Sequence, residues 1–339
     1  MIRDRDGRGI DERLGSLLGE GSHQLVSRRQ SASEAVWSNI PSASGESATY
    51  FDRPILKAPV WEIDIPAYYY LGGAAGASMA LAAAAQLEGG EEISRFVRRC
   101  HWIGIIGSSA GAVLLVHDLG RPERFVNMLR VFRPTSPMNV GAWILAGAAP
   151  LAIAAGFFTR QSGQFKRLGE TAGYAAGLFG LGLAGYTGVL VGNTAIPVWK
   201  EARPCLPVLF LSSAAASTAS LLEMFPNGAR TSQLILIFGT AARTAELVSA
   251  RWMEKRTSRV QTAGEPLREG VSGALWKTAA VLTAASLVIP LAGRKSGKLR
   301  QCAGVLGTLG AIALRFAVHF AGSASAANPR ATFDLQRRK

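Results

Sequence analysis

Charge is what this sequence is short of. Only 18% of its 339 residues are Asp, Glu, Lys or Arg, against about a quarter in an ordinary soluble chain. The deficit is concentrated. From Ile65 to Leu87 the chain reads IPAYYYLGGAAGASMALAAAAQL, and from Thr171 to Gly192 TAGYAAGLFGLGLAGYTGVLVG, almost without an ionisable acid or base. Runs of about 20 apolar residues are long enough to cross the hydrocarbon core of a bilayer. That excludes an ordinary soluble globular fold and points to an integral membrane protein.

Cysteine is scarce as well. Cys100, Cys205 and Cys302 stand alone, with no C-x-x-C spacing. This argues against an iron–sulfur cluster or structural zinc held by this chain, and no disulfide framework is implied. Histidine is too sparse for two bis-histidine hemes, because only His101, His117 and His319 lie near the apolar runs. No metal site and no heme are therefore expected in this chain. Acids are fewer than bases, 23 against 37, and the net charge is +14. The bases sit in the tails and in short connections, where lipid headgroups would meet them. They do not form the aromatic–basic patches of a nucleic-acid binder.

Residues 1–58 are rich in Ser, Arg and Gly without sustained periodicity and read as a flexible N-terminal tail. Arg28-Arg29 resembles a twin-arginine signal but lacks the apolar stretch that must follow one, so the first membrane helix is expected to direct insertion. Residues 59–322 form the expected transmembrane domain, and 323–339 a C-terminal tail. Spans are expected at 65–87, 101–117, 139–159, 171–192, 205–223, 231–250, 274–293 and 302–320. The fold class is thus an all-α integral membrane protein of about eight transmembrane helices. Small residues at four-residue spacing, such as Gly72 with Gly76 and Gly173 with Gly177, allow helices to approach closely in lipid. Gly180, Gly182 and Gly185 spell the dinucleotide fingerprint G-x-G-x-x-G. They lie inside an uninterrupted apolar run instead of between a strand and a helix, so they read as packing surfaces.

An even number of spans begins and ends on one side, here called the N-side. Asp64 starts the first span, and His117 and Asp118 end the second. Tyr186 lies late in the fourth, Arg243 and Glu246 late in the sixth, and Arg315 and His319 late in the eighth. All are placed in the N-side half or at its edge. Charges inside a span are costly and usually mark a functional pathway. The competing reading is that each one snorkels or pairs, Arg243 with Glu246 as an intrahelical ion pair for example. His101 and Glu223, at the opposite ends of their spans, read as interfacial residues.

The N-side connection between the second and third spans is HDLGRPERFVNMLRVFRPTSPMN, residues 117–139. Pro122 suits a first helical position and Glu123 a first turn. Phe125, Met128, Leu129 and Phe132 make an apolar stripe among Arg121, Arg124, Arg130 and Arg133. Pro134 is expected to stop this helix, and Ser136-Pro137 to begin the next one. An amphipathic surface helix roofing the polar cluster follows.

These residues resemble the polysulfide reductase membrane subunit, or NrfD-like, family of quinone-reacting subunits. The resemblance rests on YYYLGGAAGAS, DLGRPERFVNMLRVFRPTSPMNVGAW (118–143), GYTGVLVGNTAIPVW (185–199) and LRFAVHFAGSASAANP (314–329). It implies an all-helical anchor, arranged as two four-helix bundles, in the cytoplasmic (inner) membrane of a prokaryote. Such a subunit binds a quinone (menaquinone or ubiquinone) near one membrane face. It exchanges electrons with a ferredoxin-like four-cluster iron–sulfur subunit, which relays to a molybdopterin-type or multiheme catalytic subunit. On this resemblance Tyr186 and Asp64 are candidate quinone ligands, to which the map of polar residues adds His117, Arg121 and Arg243. Asp64, Asp118 and Glu246 are the candidate proton-handling groups, and Arg121 and Arg124 the docking residues. A secondary transporter is the alternative, since it too holds intramembrane charges. Its site, however, would tend to lie at mid-membrane.

Overall fold

The computed structural model describes residues 55–57, 59, 61–292 and 296–337. Nearly all of the expected 1–58 tail lies outside the described residues. The described chain is built from twelve α-helices: α1 Asp64–Gln86, α2 Glu91–Asp118, α3 Pro122–Met128, α4 Pro137–Phe158, α5 Gly163–Gly192, α6 Pro197–Glu201, α7 Leu206–Glu223, α8 Ala229–Thr257, α9 Gln261–Gly264, α10 Gly270–Ala292, α11 Gly297–Ala327 and α12 Pro329–Arg337. A 3₁₀ turn, Glu265–Leu267, lies between α9 and α10. There is no strand among the described residues, so the all-α class is observed.

Eight of these helices have 18 residues or more and coincide with the eight expected apolar runs. Several overrun them. α2 begins at Glu91 instead of residue 101, and α8 continues to Thr257 through the polar segment ARWMEKRT. Hydropathy marks only the part of a helix that meets hydrocarbon. Backbone hydrogen bonding continues where Arg and Glu side chains reach headgroups and water. The segment 323–339, expected as a tail, begins with the end of α11 and continues as α12.

Helix boundaries follow local chemistry. Gly90, at φ 91°, turns the chain into α2, and Gly120, at φ 70°, turns it out of α2 towards α3. Both conformations are costly for any residue with a Cβ. Ser136 is the N-cap of α4 and accepts from Asn139 N, with Pro137 at the first helical position, as expected. The surface helix α3 is shorter than its apolar stripe suggested, ending at Met128. Asn139 explains why. Its side chain accepts from Arg133 N at 2.7 Å and donates to Met128 O at 2.6 Å and Val131 O at 3.0 Å. These bonds hold the chain after Met128 in a turn.

α1 is sheathed by α2, α5, α7 and α11. α4 packs on α5 and α2, while α10 packs on α11 and α8. Outward-facing apolar side chains such as Val113, Leu178, Ile237 and Val281 are exposed, as a lipid-facing surface requires. Among the described residues, six helices are long and apolar enough to cross a membrane: α2, α4, α5, α7, α10 and α11. The two that fall short do so for different reasons. α1 is mostly Gly, Ala and Tyr because its neighbours, not lipid, surround it. α8 carries Arg243, Glu246 and a charged end.

α1 and α5 meet backbone to backbone. A Cβ on Gly76 would collide with Gly180 O and would lie 2.6 Å from Ala184 N, and one on Gly180 would lie 2.5 Å from Gly76 O. Of the glycines in the rejected nucleotide motif, Gly180 is thus a backbone contact surface, whereas a Cβ on Gly182 would meet the Ile144 side chain at 3.2 Å. At Gly185 a Cβ would meet only Leu211 at 3.9 Å. Gly76→Ala is expected to destabilise the fold by about 1–3 kcal/mol through overpacking, whereas Gly185→Ala is neutral or slightly stabilising. Thermal unfolding midpoints of the two variants in detergent check this contrast.

Candidate functional site

Three consecutive tyrosines on α1 point in directions about 100° apart, as helical geometry demands. Tyr68 faces α5, where its hydroxyl is hydrogen-bonded to that of Tyr186. A Cβ on Gly111 of α2 would lie 3.0 Å from the Tyr68 ring, and one on Gly141 of α4 would collide with the Tyr186 ring. Glycines on both flanking helices thus make room for the pair. One hydroxyl of the pair donates to the other, and the accepting hydroxyl keeps its own hydrogen to offer elsewhere.

Tyr69 is fully buried and packs on Phe210 of α7, with ring centroids 5.7 Å apart. Its hydroxyl has no hydrogen-bond partner among the described residues. It lies within electrostatic reach of Tyr68, Tyr186, Asp118 and Arg315. At the outer end, His117 Nδ1 and Asp64 Oδ2 are 2.6 Å apart, tying the end of α2 to the start of α1. Behind the tyrosines Trp61 stacks on Trp199, with centroids 5.9 Å apart. Trp199 donates from Nε1 to Val318 O at 2.8 Å and lies against Gly322, where a Cβ would strike its ring.

Deeper along the bundle lie two buried charged groups. Arg315 is 1% exposed. Its Nη2 donates to Phe210 O at 2.8 Å, and its guanidinium sits 4.0 Å over the Phe210 ring. Arg315 and Glu246 are within electrostatic reach of each other, and Glu246 Oε1 accepts from Thr283 Oγ1 at 2.8 Å. Further towards the opposite face, Arg243 donates to both oxygens of Glu223, at 2.9 and 2.5 Å, and to Ser220 Oγ at 3.0 Å.

Residues 55–234 match the family described as "Polysulphide reductase, NrfD". The match spans more than half of the chain. The protein belongs to the NrfD family. This family comprises membrane subunits of respiratory oxidoreductases, and the chain is a multi-pass membrane protein. A comparison with curated proteins found no match. The NrfD match contains Asp64, His117, Asp118, Arg121, Arg124 and Tyr186 but stops inside α8, before Arg243, Glu246 and Arg315.

Geometry divides the expected site residues in the same way. Tyr186, Asp64, His117 and Asp118 gather at the N-side of this NrfD chain, in company with Tyr68 and Tyr69. Arg121 and Arg124 lie exposed on the loop above, where Arg124 Nη1 donates to Leu119 O at 3.1 Å. Arg243 and Glu246 are not brought to the tyrosines, nor do they form the intrahelical ion pair considered for them. Each has turned to a neighbouring helix. His101 and Glu223, read as interfacial, are both buried instead. For Glu223 the reason is Arg243: a charge that deep requires a counter-charge, and α7 supplies it.

Among the residues the sequence reading left out of the site are Tyr68 and Tyr69. The triple YYY in an otherwise Gly- and Ala-rich run was the available signal. The Arg243–Glu223 pair yields a stability test. Arg243→Met or Glu223→Leu alone strands a buried charge and is expected to cost about 3–5 kcal/mol, while the double variant costs much less than the sum. Detergent unfolding of the three variants measures that coupling.

Proposed function

We propose that the chain is the quinone- or quinol-reacting subunit of its oxidoreductase complex, with the site at the N-side between α1, α2 and α5. All eight long helices cross the membrane in this reading, as two four-helix groups, α1–α2–α4–α5 and α7–α8–α10–α11. The observation that carries it is the part-buried Tyr68–Tyr186 hydroxyl pair beside the Asp64–His117 pair. The partnerless Tyr69 hydroxyl supports the fit of a quinone head group, because it offers a further donor in a dry site. A mid-membrane transporter site is less well supported, since Asp64, His117, Tyr68 and Tyr186 gather at one face.

A bound quinol supplies two electrons and two protons. The Tyr68–Tyr186 pair binds and orients the head group through the hydrogen that their mutual bond leaves free. Asp64, half-buried at the membrane edge, accepts a proton, and His117 at 2.6 Å holds that carboxylate and leads to solvent. Asp118 adds a carboxylate charge near Tyr69. Trp61, stacked on Trp199, closes the site on the α11 side and limits water. Phe125, Met128 and Leu129 of the α3 segment are half-buried and cover it from above. The electrons leave to an iron–sulfur partner docked on the N-side, and from there to a molybdopterin-type or multiheme catalytic subunit. The quinone is menaquinone or ubiquinone.

Tyr186→Phe removes only a hydroxyl. It is expected to slow quinol turnover by roughly three- to tenfold, about the worth of one hydrogen bond, with the complex still assembled. Asp64→Asn should impair turnover more than Glu246→Gln does, because only Asp64 stands beside the tyrosines. Steady-state quinol oxidation by the purified complex measures both, and wild-type rates in Tyr186→Phe would remove that residue from the site.

Docking has its own test. Exposed ion pairs are worth only about 0–1 kcal/mol each, so loss of either Arg121 or Arg124 alone should be tolerated. The double reversal Arg121→Glu with Arg124→Glu adds repulsion and is expected to release the iron–sulfur subunit in detergent. Undiminished recovery of that subunit in a pull-down would make the loop a lid and not a docking surface.

A further inference from the structure

At the N-side end of α8 the chain turns through α9 and the 3₁₀ turn into α10, and these elements enclose a cleft of about 490 Å³. That size falls within the roughly 300–1,000 Å³ of small-ligand sites. The turn is tightly built. A Cβ on Gly264 would lie 2.8 Å from Thr257 O, and Ser272 Oγ donates to Pro266 O at 2.6 Å. Its lining includes Arg251, Lys255, Arg268 and Lys277 but only one acid, Glu254.

Both oxygens of that acid are already engaged. Glu254 Oε1 accepts from Trp276 Nε1 at 2.5 Å, and Oε2 accepts from Arg251 Nη1 at 2.8 Å. Trp276 is 3% exposed and forms the fixed inner wall. Lys255, Arg268 and Lys277 make no ion pair among the described residues. Three like charges facing one cleft repel each other, and an anion placed between them removes that cost.

The surroundings identify the anion's chemical class. Val271, Ala274, Val281 and Val288 form an exposed apolar stripe along α10, with Val271 71% and Val281 66% exposed, and Lys277 borders it. Val248 on α8, 64% exposed, continues the apolar surface on the same side of the turn. A free inorganic anion or an acidic peptide would use the charges and leave the stripe idle. A phospholipid uses both, since basic pockets between membrane helices take headgroups while acyl chains lie along the apolar helix face.

We propose that this cleft binds the headgroup of an anionic phospholipid, its phosphodiester held by Lys255, Arg268 and Lys277 and its acyl chains lying along α10. The inference is independent of the redox reading. Lipid-facing side chains and the geometry of one turn carry it, and none of its residues belongs to the tyrosine site.

The test uses the intact complex reconstituted in nanodiscs of dioleoylphosphatidylcholine containing either cardiolipin or phosphatidylglycerol. The complex is re-extracted in mild detergent, and retained lipid is quantified by mass spectrometry. The triple variant Lys255→Gln, Arg268→Gln, Lys277→Gln is expected to lose retained anionic lipid by about fivefold or more per charge removed, with retained phosphatidylcholine unchanged. Lys277→Gln alone, an exposed substitution that leaves the fold intact, should show about a fivefold loss. Equal retention of anionic lipid by wild type and both variants overturns the proposal. So does thermal stabilisation of the delipidated complex by inorganic phosphate that the triple variant abolishes while cardiolipin retention stays unchanged, which would mark a free-anion site. Loss of the iron–sulfur subunit with unchanged lipid retention likewise overturns it, in favour of a protein-docking surface.

Discussion

The contact between α1 and α5 at Gly76 and Gly180 sets the geometry on which the candidate site depends. With no side chain between them the two backbones meet, and the helices run antiparallel away from that point. Tyr68 and Tyr186 both lie on the N-side of it, about 9–12 Å along their helices at helical rise. Their hydroxyls can therefore reach each other across a narrow gap. Helices held further apart by even one methyl group at the crossing would spread at the tyrosines as well. Lipid offers no hydrophobic force to press helices together, so close packing of small residues does that work.

A second constraint is the cost of burying charge. The chain meets it in two ways. Arg243 is matched by a carboxylate from the next helix and a serine, forming a pair whose members depend on each other. Arg315 has no carboxylate in direct contact among the described residues and is held by a backbone carbonyl and an aromatic face, with Glu246 at longer range. Neither arginine bonds to the Tyr68–Tyr186 pair, although Arg315 stands within electrostatic reach of Tyr69. The candidate site at the N-side thus sets neutral hydroxyls at Tyr68 and Tyr186 and places its acid–base pair, Asp64 and His117, at the edge where water still solvates it.

Much of the fold was legible because lipid imposes a coarse rule. Each long apolar run had to be a helix, and each became one. Helix ends were less legible, since α2 and α8 continue into charged segments that hydropathy discounts. The partner of Arg243 was not legible. Spacing along one helix suggested Glu246, but three-dimensional packing brought Glu223 nearer, and no local pattern encodes a neighbour's register. Span counting put Tyr186, Asp64 and His117 on one side of the membrane, but it put Arg243 and Glu246 there too, and counting cannot say which of these side chains meet. Which of three adjacent tyrosines faces α5 depends on helix rotation, which the run YYYLGG does not specify in the absence of a polar face.

The loop over the site is mechanically lopsided. Asn139 pins its far end to the first turn of α4 with three hydrogen bonds. Its near end turns at Gly120, whose left-handed backbone follows Asp118, and is held there by a bond from Arg124 Nη1 to Leu119 O. Such a segment behaves as a lever with one clamped end. A push on α3 from above cannot slide it along the membrane. The near end instead joins α2 beside His117, so the surface helix and the hydrogen bond that ties α1 to α2 share one anchoring point.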